Sequence, residues 1–286
     1  MDTTELREKW LKLKPRVDFV AKEGATLRRV TKQLASEDGY EALKKLQKEI
    51  SVIEAITLDS GGLLDSIREA IIPVRAWLDT EWTRRSTQFA EELHEFFSDR
   101  EVTLEGIPPV FDAGPVAIEF DTRQDNAQVL YAGEVVRNRI PLAPLRIFRE
   151  WQRACQQLER AQTPPDAFFA AMIDAYEEVC SAKGMKPGAR VRLPDIHFQL
   201  FVGRQTAQVR QDPRKGRLKE YPRYQFAYDL AGLLASPGGL VRGDQALTLH
   251  VAARSAAESR SASIKMAAEG GGWTYYSDLQ VEKVRG

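Results

Sequence analysis

Residues 63–100, LLDSIREAIIPVRAWLDTEWTRRSTQFAEELHEFFSDR, carry an apolar stripe with one gap between Leu78 and Phe89. The members of the stripe are Leu64, Ile67, Ile71, Val74, Leu78, Phe89, Leu93 and Phe96. Steps of three and four residues are typical of a helix with one buried side. At about 1.5 Å per residue, this helix would be on the order of 55 Å long. The sequence therefore predicts one long helix, with Trp77 and Trp82 as core or interface anchors.

Two further apolar stripes precede this stretch. The first has steps of three, four and seven residues and is interrupted by Pro15, and the second is shorter. Their members are Leu6, Trp10, Leu13, Val17, Val20, Leu27 and Leu34, and then Leu43, Leu46, Ile50 and Ile53. Short polar turns at residues 36–39 and 59–62 favour antiparallel neighbours. Residues 1–100 are therefore predicted to form an antiparallel long-helix bundle or a coiled-coil-like hairpin, self-contained or completed by a protein partner or a second copy.

The remainder of the chain, residues 101–286, mixes strands with helices and is predicted to be a second domain. Alternation of apolar with polar or small residues, as at residues 116–121, is typical of a half-buried strand. We predict strands at residues 101–106, 116–121, 127–136, 196–202, 247–251, 264–266 and 273–284, and helices at 144–161, 163–184 and 221–234. The fold class is therefore α+β, with a mainly antiparallel sheet in this domain. Residues 184–190 are a candidate sub-boundary.

Charge and cysteine content narrow the class of protein. The 286 residues hold 41 basic and 41 acidic side chains, so attraction to nucleic acid or a membrane would need a local patch. The two cysteines, Cys155 and Cys180, match no metal-binding spacing and indicate a reducing compartment. The N-terminus lacks a signal-peptide pattern, and no window approaches the roughly 18 apolar residues of a membrane span. We expect a cytoplasmic protein without a membrane partner.

Two carboxylates, Glu119 and Asp121, share one face of a predicted strand. Asp125 and Glu134 are near in sequence, and such a cluster could hold Mg²⁺ or Mn²⁺ and cleave phosphodiester bonds. Nuclease cores of the restriction type usually add a lysine two residues after the second acid, but residues 49–182 contain no lysine. We therefore favour the polar outer face of a half-buried strand and keep a metal-dependent nuclease or phosphodiesterase as an alternative.

Other catalytic motifs are missing from the sequence. It has no Walker P-loop, no G-x-G-x-x-G, no H-E-x-x-H and no G-x-S-x-G. Asp195 and His197 fall on one face of the strand predicted at residues 196–202 and could form a relay, but we favour a structural or surface histidine. We therefore predict no catalytic residue, no bound metal and no cofactor.

The strongest signal outside the predicted core is residues 203–223, GRQTAQVRQDPRKGRLKEYPR, with seven cations against Asp212 and Glu220. The candidate binding residues are Arg204, Arg210, Arg214, Lys215, Arg217, Lys219 and Arg223, with Tyr221 and Tyr224 beside them. A loop or hairpin of this kind can neutralise phosphates and rest its rings on sugars or bases. It can equally attract the acidic face of a protein partner. A solvated basic tip without a ligand is the third interpretation.

These observations favour a non-catalytic accessory or adaptor subunit of an intracellular complex. Its N-terminal helices would bind a protein partner or a second copy, and residues 203–223 would contact DNA, RNA or an acidic partner. Two alternatives are open. One is the metal-dependent nuclease that uses Glu119 and Asp121, and the other is a purely structural protein–protein adaptor.

Overall fold

The computed structural model describes residues 25, 44, 47, 48, 63–212, 214, 216–257, 259, 261–267 and 272–283. The apolar side chains of the two stripes predicted at residues 6–34 and 43–53 lie outside these residues, and so does the bundle or hairpin that they would form. The chain divides into two compact units, Met1–Phe89 and Ala90–Gly286.

The predicted long helix is present as α1, Leu63–Ser98, with 36 residues. Among its described side chains, which are Ile72 and those from Arg75 onward, the buried apolar ones recur at helical spacing and are Leu78, Trp82, Ala90, Leu93 and Phe97. Trp82 is only 2% exposed, so the buried side continues where the spacing of the stripe predicts a gap. Trp77, the other predicted anchor, is 46% exposed.

An antiparallel meander forms the first sheet of the unit Ala90–Gly286, with strand order β1-β2-β3-β4-β5. The strands are β1 (Glu105–Ile107), β2 (Val110–Ala113), β3 (Val116–Asp121), β4 (Asn126–Tyr131) and β5 (Glu134–Pro141). The single strand predicted at residues 127–136 is wrong, because a two-residue turn separates β4 from β5. Ala132 and Gly133 both have positive φ, 53° and 75°, and this backbone matches the twist of a tight hairpin.

The unit also contains helices, and the one at Pro144–Ala161 packs on β3, β4 and β5 of the first sheet. They are α2 (Pro144–Ala161), α3 (Pro165–Lys183), α4 (Leu193–Gly203), α5 (Ala207–Gln211), α6 (Arg223–Ala235) and α7 (Arg254–Ala257). The helices predicted at 144–161, 163–184 and 221–234 are confirmed as α2, α3 and α6. The Trp151 indole in α2 donates to the Ala113 carbonyl of β2 at 3.0 Å. Within the described residues, no helix has both the length and the apolar character needed to cross a membrane.

The second sheet has strand order β6-β10-β8-β7, and β9 pairs with another part of β10. Its strands are β6 (Val191–Arg192), β7 (Val241–Arg242), β8 (Gln245–Val251), β9 (Ile264–Ala267) and β10 (Trp273–Lys283). All of its pairs are antiparallel. Helix α6 packs against β5 of the first sheet and β9 of the second. The predicted α+β class with antiparallel sheets is therefore confirmed for the described part of the chain.

The strand predicted at residues 196–202 is wrong, because this segment belongs to helix α4. The buried side chains of α4 are Leu193, Ile196 and Leu200. They follow steps of three and four residues, whereas Phe198, which a buried strand face would have enclosed, is 62% exposed. Pro194 and Asp195 occupy the first turn, where both residue types favour a helix start. This start signal predicts the helix better than the apolar alternation predicts a strand.

Candidate functional site

The basic stretch at residues 203–223 is more structured than a single hairpin tip. It starts at the C-terminal end of α4, forms the short helix α5 and leads to Arg223, the first residue of α6. We call residues 206–218 the basic loop. The residues on either side of it, Gln205 and Lys219, hold its two ends together.

Gln205 closes the basic loop through its side-chain amide. Its Nε2 donates to the Lys219 carbonyl at 2.9 Å, and its Oε1 accepts from the Lys219 N–H at 2.9 Å. Nε2 also donates to the Phe201 carbonyl of α4 at 2.8 Å. Gln205 is 6% exposed, so breaking these bonds would leave buried polar groups unpaired, at about 1–3 kcal/mol each. The loop ends are thus fixed to each other and to α4.

A small apolar contact packs the inside of the basic loop. Val209 is 4% exposed, and a Cβ added to Gly216 would lie 2.6 Å from Val209 Cγ2. The Thr206 side chain caps α5 by accepting from the Val209 N–H at 3.4 Å. Asp212 Oδ1 accepts from the Arg214 N–H at 3.1 Å, the bond of an Asx turn. These contacts favour one conformation of the loop.

Positive charge dominates the outer surface of this loop. The loop and Lys219 together carry five cations against one carboxylate, Asp212. The exposed cations are Arg210, Arg214, Arg217 and Lys219. Lys215 lies outside the described residues. The Arg214 side chain is 93% exposed and lies 3.3 Å from Asp212, a surface pair that contributes little to stability. The exposed excess of positive charge attracts anions.

A buried carboxylate anchors the chain on both sides of the basic loop. Asp229 in α6 is 1% exposed. Its oxygens accept from Thr163 at 2.8 and 3.0 Å, from Tyr221 at 2.8 Å and from Gln225 at 3.1 Å. The Arg204 guanidinium lies 3.5 Å from the same carboxylate and donates to Thr163 Oγ1 at 2.8 Å. Because Arg204 precedes the loop and Tyr221 follows it, Asp229 ties both flanks to α6.

The two tyrosines considered as platforms for bases are held within the fold. Tyr221 is 4% exposed, and the Arg204 guanidinium carbon lies 3.7 Å from its ring centroid. Burial raises the pKa of the Tyr221 hydroxyl strongly, and the charge of Asp229 adds to this shift. Tyr224 is half-buried, and its hydroxyl accepts from Gln157 Nε2 at 2.8 Å. Neither ring is therefore an exposed platform beside the cations.

Arg223, the last cation of the stretch, belongs to a different surface. Its Nε donates to Glu134 of β5 at 3.0 Å, and its Nη2 donates to the Ser263 carbonyl at 2.6 Å. Burial lowers the pKa of the Arg223 guanidinium. The candidate residues thus divide into two sets. Exposed at the loop are Arg210, Arg214, Arg217 and Lys219, and engaged elsewhere in the fold are Arg204, Tyr221, Arg223 and Tyr224.

Glu119 and Asp121 occupy the same half-buried face of β3, as the alternation predicts. Glu119 Oε2 accepts from Gln128 Nε2 of β4 at 2.7 Å. Asp121 Oδ1 accepts from the backbone N–H groups of Arg123 and Gln124 in the following turn. Each carboxylate thus has a structural role. Across the described residues, no group of three His, Cys, Asp or Glu side chains is placed to hold a metal ion. Metal-dependent cleavage stays a prediction from the sequence.

His197 and Asp195 have partners other than each other. His197 Nε2 lies 2.8 Å from the Tyr221 carbonyl oxygen, whereas Asp195 accepts from Lys183 Nζ at 2.6 Å. The imidazole packs against the rings of Tyr221 and Phe226, with centroid distances of 5.7 and 5.2 Å. His197 therefore holds the segment that follows the basic loop against α4.

Sequence reasoning missed two residues that shape this site, Gln205 and Asp229. Nothing in the sequence marks Gln205, because its partners in Lys219 are backbone groups 14 residues away. Asp229 does leave a signal. It lies on the buried side of α6 with Phe226 and Leu233, and a carboxylate on such a face needs buried donors.

No protein-family model matches the chain, and no curated protein or solved structure matches it either. The function of the basic loop therefore has to be inferred from its own contacts and charges.

Proposed function

We propose that the chain is a non-catalytic accessory or adaptor subunit of a cytoplasmic complex that contacts nucleic acid through the basic loop. The observation that carries this proposal is the closure of the loop by Gln205 and Lys219 beneath a set of exposed cations. The buried clamp, the cap and the internal apolar contact hold these cations in one arrangement, which suits a loop that presents its charges to a surface.

Phosphate is the anion that suits this loop. Arginine offers a planar fork of N–H donors that matches phosphate oxygens, and Arg210, Arg214 and Arg217 are exposed. Each phosphate contact also releases condensed counterions, which supplies most of the affinity of non-specific nucleic-acid binding. Because the loop ends are already fixed, little conformational entropy is lost when the loop binds.

The proposed contact is made to the backbone of a duplex rather than to bases. Single-stranded nucleic acid is usually held by exposed aromatic rings that stack on bases. Tyr221 is buried and Tyr224 is half-buried with its hydroxyl bonded, so the basic loop offers cations without such rings. Phosphate contacts fix position and carry no sequence information directly. The interaction is therefore expected to be independent of sequence.

The adaptor role also needs a second surface, which we assign to residues 1–100. These residues would assemble with a protein partner or with a second copy of the chain. Support comes from α1, where Ile72 is 66% exposed and Trp77 is 46% exposed. Large apolar side chains in water are costly, and aromatic ones are enriched at protein interfaces. The chain would then link a partner to nucleic acid.

A salt titration of duplex binding tests the loop. Fluorescence anisotropy of a short labelled duplex is measured between about 50 and about 200 mM salt. The wild type is compared with the triple variant R210Q/R214Q/R217Q. If all three arginines contact phosphates, the slope of log affinity against log salt becomes shallower by about 2 to 3, since each contact contributes about 0.9. A charge-matched control, R146Q/R149Q/R153Q, removes three exposed arginines from α2 and should keep the slope.

Two results would contradict the nucleic-acid proposal. One is a wild-type chain that does not bind the duplex at the lowest salt concentration. The other is an equal loss of slope in both triple variants, which would show that net charge rather than the loop matters. Polyglutamate serves as a separate probe. If it binds the wild type, loses affinity in R210Q/R214Q/R217Q and the duplex does not bind, the acidic-partner alternative is correct instead.

A further inference from the structure

A cleft of about 240 Å³ lies where both sheets meet the start of α6. Its walls include Gly133, Glu134, Arg223, Lys265 and Tyr275. These residues come from the β4–β5 turn, β5, α6, β9 and β10, so both sheets and helix α6 contribute to the cleft. One water occupies about 30 Å³ in the liquid, so the cleft has room for a small organic group and not only an ion. It plays no part in the function proposed for the basic loop.

Arg223 is fixed in the wall of this cleft. Glu134 accepts from its Nε at 3.0 Å, and the Ser263 carbonyl accepts from its Nη2 at 2.6 Å. A guanidinium has five N–H donors, and these two bonds use two of them. The Arg223 side chain is 23% exposed, and this burial lowers the pKa of its guanidinium. A second anion beside the guanidinium would offset that loss of solvation.

Lys265 faces the same cleft from β9. Its ammonium lies 5.0 Å from the ring centroid of Trp273 and 5.9 Å from that of Tyr275. Both distances are within the range of a cation–π contact. A Cβ added to Gly133 would lie 3.6 Å from Lys265 Cδ, so the lysine stem runs along the glycine backbone. The turn and the two rings therefore position the ammonium group.

The charges of the cleft select the ligand class. Arg223 and Glu134 form a pair, and Lys265 adds one positive charge, so the lining carries a net single positive charge. We propose that the cleft binds a nucleotide, with its phosphoryl group between Lys265 and Arg223 and its remainder against Tyr275 and Glu134. The phosphoryl oxygens can accept from two cations on different walls, and an aromatic ring and a carboxylate suit the face and the N–H donors of a base.

Calorimetric titration with adenosine monophosphate tests this inference. We compare the wild type with K265Q, and with K283Q as a matched control, since Lys283 is an exposed lysine at the other end of β10. Losing one charged hydrogen bond should weaken binding roughly ten-fold or more in K265Q and leave K283Q unchanged. Tryptophan emission gives a second readout. Binding should change the emission in the wild type but not in W273F, because Lys265 lies over the Trp273 ring.

The phosphoryl group and the source of the nucleotide are tested separately. Adenosine and inorganic phosphate should both bind more weakly than the monophosphate. A single-stranded oligonucleotide that competes with the monophosphate identifies a nucleotide within a strand, and failure to compete identifies a free nucleotide. The inference is overturned if K265Q binds as tightly as the wild type, if adenosine binds as well as its monophosphate, or if the folded wild type binds no monophosphate. The variant R210Q/R214Q/R217Q should keep this binding, so failure of either proposal leaves the other intact.

Discussion

Gln205 and Lys219 pair as though they were neighbouring residues on two strands. The side-chain amide of Gln205 accepts from the backbone N–H of Lys219 and donates to its backbone C=O, each at 2.9 Å. Only Lys219 uses backbone groups in this pair. A side chain thus supplies the closing pair that a ladder would supply in a hairpin. The basic loop can therefore carry a run of like charges without relying on its own sequence to hold its ends together.

Replacing Gln205 by leucine should open the basic loop. The side chain keeps its approximate size, but both backbone groups of Lys219 lose their partner. Trypsin cleaves after exposed arginine and lysine residues in mobile chain, so Q205L should be cleaved faster within residues 206–218 than the wild type. The same variant should also bind the duplex more weakly, although it removes no charge, because the loop must now be ordered on binding. Mass spectrometry of a time course identifies the sites that are cut.

The control for this prediction is Q208L, which makes the same chemical change at an exposed glutamine inside the loop. Its cleavage and its duplex affinity should match those of the wild type. Equal rates of cleavage in Q205L and Q208L would show that the side-chain clamp does not order the loop.

Replacing Asp229 by asparagine should destabilise the whole unit that contains the loop. The carboxylate is buried and accepts from four residues, and the amide that replaces it brings donors of its own to face Tyr221 and Thr163. Arg204 also loses the charge beside it. We expect the free energy of unfolding to fall by about 2–4 kcal/mol, measured by urea denaturation. D174N, at an exposed carboxylate of α3, should change it by less than about 0.5 kcal/mol. A similar small change in D229N would show that the network contributes little.

Local signals account for the parts of the fold that the sequence predicts. Helix α3 is an example, because Pro165 opens it and Gly184, with φ of 61°, ends it. Both signals lie within the segment itself. The division between β4 and β5 is different. It depends on a positive φ at Ala132, a conformation that alanine rarely adopts. The pairing of the strands across the turn imposes this conformation. Propensity alone therefore predicts one continuous strand there.

In the candidate site, too, some features follow from local sequence and others depend on residues far away in the chain. The positive charge of residues 203–223 can be read directly from the sequence, because the charge of a side chain does not depend on its tertiary contacts. Which of them reach solvent depends on tertiary contacts. Arg204 and Tyr221 turn inward because Asp229 is buried beneath them, and Arg223 turns toward β5 because Glu134 accepts its Nε. The spacing of these residues in the sequence does not predict those partners.

His197 should make stability depend on pH below neutrality. Burial lowers its pKa below the ordinary 6.5, the bond to the Tyr221 carbonyl opposes this shift, and the charges of Arg223 and Arg204 add to it. The unfolded chain therefore takes up a proton at this residue before the folded chain does. Stability from the neutral imidazole is complete above pH 6.5 and is lost as the pH falls from there through the lower folded pKa. Urea denaturation at a series of pH values measures this loss.

H197Q isolates the contribution of the imidazole. Glutamine keeps an N–H donor for the Tyr221 carbonyl but does not titrate, so the variant should lose less stability than the wild type as the pH falls below 6.5. If H197Q and the wild type lose stability in parallel, protonation of another group causes the acid sensitivity, and the imidazole behind the basic loop is not responsible.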